Sequence, residues 1–327
     1  LWYSQSGTPE LICEFKHDAT AKMAELTIHQ TTRPTTSQPR KMPLYIPVDV
    51  ALIGDNGDEI ALQLASGSEI RPGVLAVTEP TQTFKFSNVP TRPVPSILRG
   101  FSAPVNVTID LSDGDLAFLM CHDRDLFNRW KAANAFASRA ILAALKEGGS
   151  SAAMQTSAAR YATALAAALD NRKIDNAYKA ELLKLPTPAD IAREKATDVD
   201  PAAIDTAHRA MSRQIANAIG ANLEAIYAET TTTEPYSPNA TESGRRALRN
   251  AALTLLTTRG SAQDYARLEH HFAYATNMTD TAHALVLLAA IDIPARQRAL
   301  ANFYDRWNGD HLVIDMWFAA QAQSPLP

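Results

Sequence analysis

Eight histidines are the first place to look for chemistry in this chain. Imidazoles at helical spacing, as in H-E-x-x-H, put two zinc ligands on one helix face with a glutamate base between them. None of the eight is followed by glutamate. His270 and His271 are neighbours, so on a helix they diverge by about 100° and do not chelate one metal. They are expected as polar surface histidines on a helix around Arg267–Thr276, with His283 the other imidazole to consider for a metal. His122, directly before Asp123, reads as a helix-start partner and not as a catalytic base.

Other chemistries fare no better. A serine hydrolase would carry a G-x-S-x-G elbow, and none occurs. The phosphate-cradling G-x-x-x-x-G-K-[ST] and the dinucleotide G-x-G-x-x-G are both absent. Gly148-Gly149-Ser150-Ser151 has neither the lysine nor a preceding strand, and reads as a helix–helix linker. Cys121 follows the apolar run Leu116–Met120 and is expected as a buried small residue, not a nucleophile. Arg245 and Arg249 lie one helical turn apart and, with Arg246, have the make-up of an anion site. A solvated basic face, or ion pairs with Glu242, is the stronger expectation. Asn106, Asn239 and Asn277 open Asn-x-Thr triplets, which carry little meaning without a secretion signal. Residue chemistry thus assigns no catalytic, cofactor-binding or metal residue.

The elements that hold these residues fall into two textures. In 327 residues, 46% hydrophobic and 20% charged, there is room for two or three domains with their own cores, and wholesale disorder or a fibre is excluded. A net charge of −4 leaves no footprint for nucleic acid or anionic membrane. Two cysteines, Cys13 and Cys121, make no disulfide framework and point to a reducing compartment, the cytoplasm. No apolar run approaches the roughly 20 residues of a membrane span. The opening Leu-Trp-Tyr-Ser lacks the basic start of a signal peptide. Trp2 and Tyr3 are poor residues for a free terminus, and both ends read as cut from something longer.

From Pro9 to about Asp110 the pattern is β. Ala24, Leu26 and Ile28 alternate with Glu25, Thr27 and His29. Leu44–Ile53 is a long strand running into Gly54-Asp-Asn-Gly57, where Asn56-Gly57 signals a hairpin. With Glu10–Lys16, Asp58–Leu62, Gly73–Val77, Thr81–Phe86 and Pro104–Ile109, about seven short strands have the spacing of an immunoglobulin-like β-sandwich. Prolines 34, 39, 43, 90, 93 and 95 are expected at sheet edges and crossovers. Past Asp113 alanine rises and the apolar period shifts toward 3.6. Leu126, Trp130, Ala133, Ala137, Ala140, Ile141 and Ala144 form one helical stripe. Asp200-Pro201 opens a helix expected to reach Glu229. Further helices are expected at 151–170, 174–185, 241–258, 261–276, 279–291, 294–307 and 311–323, with 230–239 a long loop. Short loops between them imply antiparallel pairs, hence a helical array, solenoid-like though without a visible repeat period.

The opening Leu1-Trp-Tyr-Ser-Gln-Ser-Gly-Thr-Pro9 resembles the end of the catalytic domain in the bacterial aminopeptidase N family, the zinc alanyl aminopeptidases. Pro43-Leu-Tyr-Ile-Pro-Val-Asp49 resembles a strand of that family's sandwich domain, and Val94-Pro-Ser-Ile-Leu-Arg-Gly-Phe-Ser-Ala-Pro-Val105 its last strands. His122-Asp-Arg-Asp-Leu-Phe-Asn-Arg-Trp-Lys-Ala-Ala-Asn134 resembles the first long helix of its helical domain. Leu248-Arg-Asn-Ala251, Asn277-Met-Thr-Asp280 and Val313-Ile-Asp-Met-Trp-Phe318 continue the match in order. The resemblance implies residues 1–8 as the tail of a catalytic domain, 9–111 as a sandwich and 112–327 as a helical domain that continues beyond Pro327. It also implies that the zinc-binding H-E-x-x-H and the G-A-M-E-N segment precede this chain, so zinc belongs to the parent enzyme and no site residue is carried over. The expected role is a non-catalytic spacer and helical cap. Its partner is the catalytic domain of the same polypeptide, and short peptides are the substrates of the whole. A free-standing helical-array scaffold or peptide-binding module is the alternative.

Overall fold

A computed structural model describes residues 2–65, 73–146 and 152–326. The Gly148–Ser151 linker and both terminal residues lie outside the described residues. The chain forms two compact units, Leu1–Phe136 and Ala137–Pro327.

The first unit is built on two sheets. β1 (Pro9–Asp18) and β2 (Met23–Thr32) pair antiparallel along their full lengths, from Pro9 opposite Thr32 to Asp18 opposite Met23. β3 spans Ile46–Ile53, β4 Glu59–Ile60, β5 Gln63–Leu64, β6 Val74–Val77, β7 Thr81–Ser87, β8 Val94–Ile97 and β9 Asn106–Ile109. One sheet has the order β5-β7-β2-β1-β9, with β9 parallel to β1; in the other, β3 pairs with β4, β6 and β8. The alternation expected from the sequence is the packing that forms. Ala24, Leu26 and Ile28 turn inward onto a core with Leu11, Ile46, Val48, Leu75 and Phe86, while Glu25, Thr27 and His29 are partly exposed. The buried Gln30 ties this core to the irregular chain beside it. Its side-chain amide donates to the carbonyls of Leu44 and Glu79, both at 3.0 Å, and accepts from the Leu44 N–H at 2.8 Å.

Two strand expectations need correction. Apolar alternation alone does not give β5 or β8. Pro95 stands opposite Leu52 in the β3–β8 ladder, and β8 pairs with β3 alone among the described residues, so this proline lies at a sheet edge as expected; all four β8 residues are buried. The Asn56-Gly57 hairpin exists but is not a two-residue turn with both residues at positive φ. The Gly57 N–H donates to Gly54 O at 2.9 Å and the Gly54 N–H to Asp58 O at 2.8 Å, and of the pair only Gly57 has positive φ, +83°. This is a type I turn closed by a left-handed glycine.

α1 (Asp113–His122) and the first half of α2 (Leu126–Lys146) belong to the same unit. Ser112 caps α1, accepting from the Asp115 N–H at 3.1 Å, and Asp115 accepts back from the Ser112 N–H at 3.1 Å. His122 lies in the last turn of α1, not at a helix start. The start of α2 is held instead by Asp125, which accepts from the Asn128 N–H at 2.8 Å.

The second unit is helical: α3 (Ala152–Leu169), α4 (Asn176–Leu182), α5 (Pro188–Lys195), α6 (Pro201–Ala218), α7 (Gly220–Glu229), α8 (Ala240–Thr258), α9 (Ala262–Tyr274), α10 (Met278–Ala289), α11 (Pro294–Trp307) and α12 (His311–Ala322). The helix expected from Asp200 to Glu229 is two, broken at Ile219 (φ −112°, ψ 25°). α5 escaped the periodicity although Thr187-Pro-Ala-Asp190 is a capping box with Pro at its first helical position. The long α8 packs against α4, α6, α7, α9 and α10. Leu253, Leu268, Leu285, Leu288 and Phe303 fill the core shared by α8 to α11. No helix among the described residues is long and apolar enough to cross a membrane.

Candidate functional site

One cap design recurs along the helices: a Ser, Thr or Asn at the N-cap, an acid three residues on, and an arginine on that acid. It is seen at Ser112/Asp115/Arg92, Thr187/Asp190/Arg193, Asn239/Glu242/Arg245, Ser261/Asp264/Arg259 and Asn277/Asp280/Arg249. Two of these acids are wholly buried, and around them the second unit gathers its densest ionisable groups.

Asp280, in the first turn of α10, receives three side chains. Asn250 of α8 donates to Oδ1 at 3.0 Å, Asn277 to Oδ2 at 2.8 Å, and Arg249 is ion-paired to the same Oδ2. His271 of α9 approaches with Nε2 at 3.8 Å from Oδ1, while its Nδ1 is 2.9 Å from the Tyr227 hydroxyl of α7. Burial first, and the Arg249 guanidinium next, hold the His271 pKa down at about 4 against the pull of Asp280, so the ring is neutral at pH 7. His283 sits one turn along α10 from Asp280, its pKa lowered by burial. The Thr254 hydroxyl donates to Asn250 O at 3.0 Å, so the His283 Nε2–H is the donor to both Thr254 Oγ1 (2.9 Å) and Asn250 O (3.1 Å).

Asp264, in the first turn of α9, is held by Arg259 through Nε at 2.8 Å and a terminal nitrogen at 2.6 Å, and by Arg267. Glu224 of α7 takes Arg259 at 2.6 Å. Burial raises the Asp264 pKa, but the hydrogen bonds from Arg259 and Ser261 outweigh it and the carboxyl lies below its usual range. Every oxygen of these two buried carboxylates is occupied, so neither is available as a general base. The clusters join helices; they do not present reactive groups.

The sequence candidates therefore separate. His270 is exposed and stacks on Tyr274 with ring centroids 4.4 Å apart, as a surface histidine should. His271 is not a surface residue at all: α7, α8 and α10 enclose it, which its polar neighbours in sequence conceal. Arg245 does pair with Glu242, at 2.7 Å, and also donates to Thr230 O. Arg246 is buried, donates to Ser237 O at 2.8 Å and lies over the Tyr236 ring at 4.7 Å. These two arginines pin both ends of the 230–239 loop and do not form a common anion site. Asn239 and Asn277 act as N-caps. Cys121 is half-buried and its pKa is raised by burial; Cys13 is buried and its pKa is pushed up to about 12, chiefly by burial. The residues do not fit a zinc ion. Among the described residues no group of three or more His, Cys, Asp or Glu could hold a metal, and beside His271 and His283 the Asp280 carboxylate is taken by Arg249, Asn250 and Asn277.

Over residues 113–327 the chain matches the family described as a domain of unknown function (DUF3458_C) with ARM repeats. Over residues 7–110 it matches the domain of unknown function DUF3458, with an Ig-like fold. The expected order of sandwich and helical array is thereby borne out. The chain is 36% identical to aminopeptidase N of Escherichia coli (strain K12) over 99% of its own length and 37% of that protein. It is 37% identical to aminopeptidase N of Caulobacter vibrioides over 100% of its own length and 36% of that protein. A crystal structure of Legionella pneumophila aminopeptidase A in complex with aspartic acid superposes with a TM-score of 0.79 at 25% identity, covering 99% of this chain and 36% of that one. The likeness to aminopeptidase N thus runs the whole length of the chain, which spans little more than a third of these relatives.

Proposed function

The chain belongs to the DUF3458 Ig-like and DUF3458_C ARM-repeat families, and from that premise we propose that it is the non-catalytic spacer and cap of a cytoplasmic zinc aminopeptidase releasing N-terminal residues from short peptides. The observation that carries this reading is identity of 36–37% to aminopeptidase N over essentially every residue of the chain. In this reading residues 1–8 end a catalytic domain, 9–111 are the sandwich spacer and 112–327 are the helical cap. Zinc and the residues that act on the peptide belong to the catalytic domain of the same polypeptide. This chain's own part is to position the cap and restrict what reaches the active site. A cluster of exposed apolar side chains supports a covering domain: Trp2 donates to Tyr45 O at 2.9 Å, and Tyr3, Met42 and Tyr45 stand exposed.

The test compares the catalytic portion with and without this segment on an alanyl arylamide and on a peptide of about ten residues, a length that tests access to an enclosed site. With the segment, kcat/KM should favour the short substrate; without it, the discrimination should shrink. The isolated chain should not hydrolyse alanyl or leucyl arylamides. Unchanged discrimination, together with peptide binding by the isolated chain, would favour the free-standing module.

A further inference from the structure

Between α9, α10 and α11 lies a cavity of about 380 Å³, at the small end of the roughly 300–1,000 Å³ typical of small-molecule sites. Helical spacing builds its α11 wall in two stripes: Arg298, Asn302 and Arg306 recur every fourth residue, and Ala295, Ala299 and Phe303 do the same beside them. Phe272 of α9, Leu288 of α10, and Phe303 and Trp307 of α11 supply apolar lining. Charge of both signs joins it, Glu269 from α9 and Arg298 and Arg306 from α11. Arg298 pairs with Glu269 at 3.0 Å. Arg306 has no ion pair among the described residues, and its guanidinium lies 5.2 Å from the Trp307 ring centre.

This combination discriminates between ligands. A lone anion would meet Glu269, and a lone cation would meet two arginines. A peptide end offers an ammonium or a carboxylate, seldom both within reach. A free α-amino acid carries both on one carbon, with its side chain directed away from them. The Glu269–Arg298 pair is exposed on both sides, 43% and 65%, so opening it costs little. The geometry points to a binding site for a free α-amino acid with an apolar side chain. The ammonium rests on Glu269, the carboxylate on Arg306 and the released Arg298, and the side chain on Phe272, Phe303 and Trp307. Binding itself does not depend on the function proposed above. If that function holds, the ligand is of the class the whole enzyme releases.

Isothermal titration of the full chain tests this without any activity. L-leucine and L-phenylalanine should bind saturably, with Kd at or below the millimolar range. N-acetyl-L-leucine, which lacks the ammonium, and L-leucinamide, which lacks the carboxylate, should each bind about tenfold more weakly or worse. Arg306→Gln at an exposed position and Glu269→Gln at a half-buried one should weaken L-leucine by a similar factor with little change in melting temperature. No saturable L-leucine binding up to about 20 mM, well above a millimolar Kd, would overturn the proposal. Equal affinity for the two blocked analogues would overturn it as well, and so would L-leucine binding indifferent to both substitutions. The ligand series on the unaltered chain decides the matter even if a variant misfolds.

Discussion

A β-carbon on Gly57 would collide with the His122 imidazole, so the β3–β4 turn and the last turn of α1 meet only because residue 57 has no side chain. The same glycine has φ +83°, where an L-residue is strained. Gly57→Val should therefore lower stability by about 1–3 kcal/mol from backbone strain alone, and by more with the clash. The two parts separate in a double-mutant cycle read by thermal melting. His122→Ala should recover part of the loss in Gly57→Ala, leaving the backbone share. An unaltered melting curve for Gly57→Val would mean that this turn and helix do not meet.

His271 makes the helical unit sensitive to acid. Its neutral form is favoured in the fold, where its pKa is about 4, against about 6.5 in the unfolded chain. The unfolded chain thus binds more protons between these values. Stability is complete above pH 6.5 and falls as pH drops toward 4, by a term of order 1–3 kcal/mol. The facing groups are Arg249, Asp280, His283, His270 and Tyr227, and the lowered pKa of His283 adds a term of the same sign. Urea denaturation at pH 7 and pH 4.5 should show a shallower loss for His271→Gln than for the unaltered chain. Parallel losses would remove His271 from the explanation.

The two cysteines should be poor nucleophiles in the native state. With its pKa near 12, Cys13 is thiolate in only about one molecule in ten thousand at pH 8. An aromatic disulfide reagent should label the half-buried Cys121 first and slowly, and Cys13 only once denaturant opens the sheet. Prompt labelling of Cys13 would place it outside the core.

Two aspartates of one cap design should differ sharply in cost. Asp264→Ala takes the buried carboxylate from Arg259 and Arg267, both mostly buried, and leaves them only the partly exposed Glu224 to share; it should cost about 2–4 kcal/mol. Asp190→Ala removes a carboxylate that is nearly half exposed, and should cost about 1 kcal/mol or less. Similar losses at both positions would mean that burial does not set the value of the acid.

How much of this is legible in the sequence depends on how local the cause is. α11 runs from Pro294 to Trp307 as its spacing predicts, because a proline at the first helical position is a local signal. The recurrent Ser/Thr/Asn-x-x-Asp/Glu spacing is equally local and would have marked α5, Asp264 and Asp280. The break between α6 and α7 is not. A β-carbon on Gly220 would sit 2.6 Å from an Arg259 terminal nitrogen, so the site of the break is tied to a side chain from a distant turn. His271 is similar: its burial comes from Tyr227, Arg249 and Asp280, none within 8 positions of it in sequence. The strand around Pro95 is not local either: a proline is tolerated at a sheet edge, and β8 is such an edge because it pairs with β3 alone among the described residues.

The distribution of strand lengths bears on how the sandwich behaves when many copies share a solution. The long strands β1, β2, β7 and β3, of 10, 10, 7 and 8 residues, each have partners on both sides. Their outermost neighbours β4, β5, β6, β8 and β9 run 2 to 4 residues, and β8 carries a proline. An incoming chain that adds to one of these outer strands finds only a few unpaired amide groups in a row, too few to template fibril growth. Among the described residues, longer runs lie where β9 and β5 stop short, on β1 after Cys13 and on β7 before Phe86, so edge-to-edge association of this sandwich would begin there, independently of net charge.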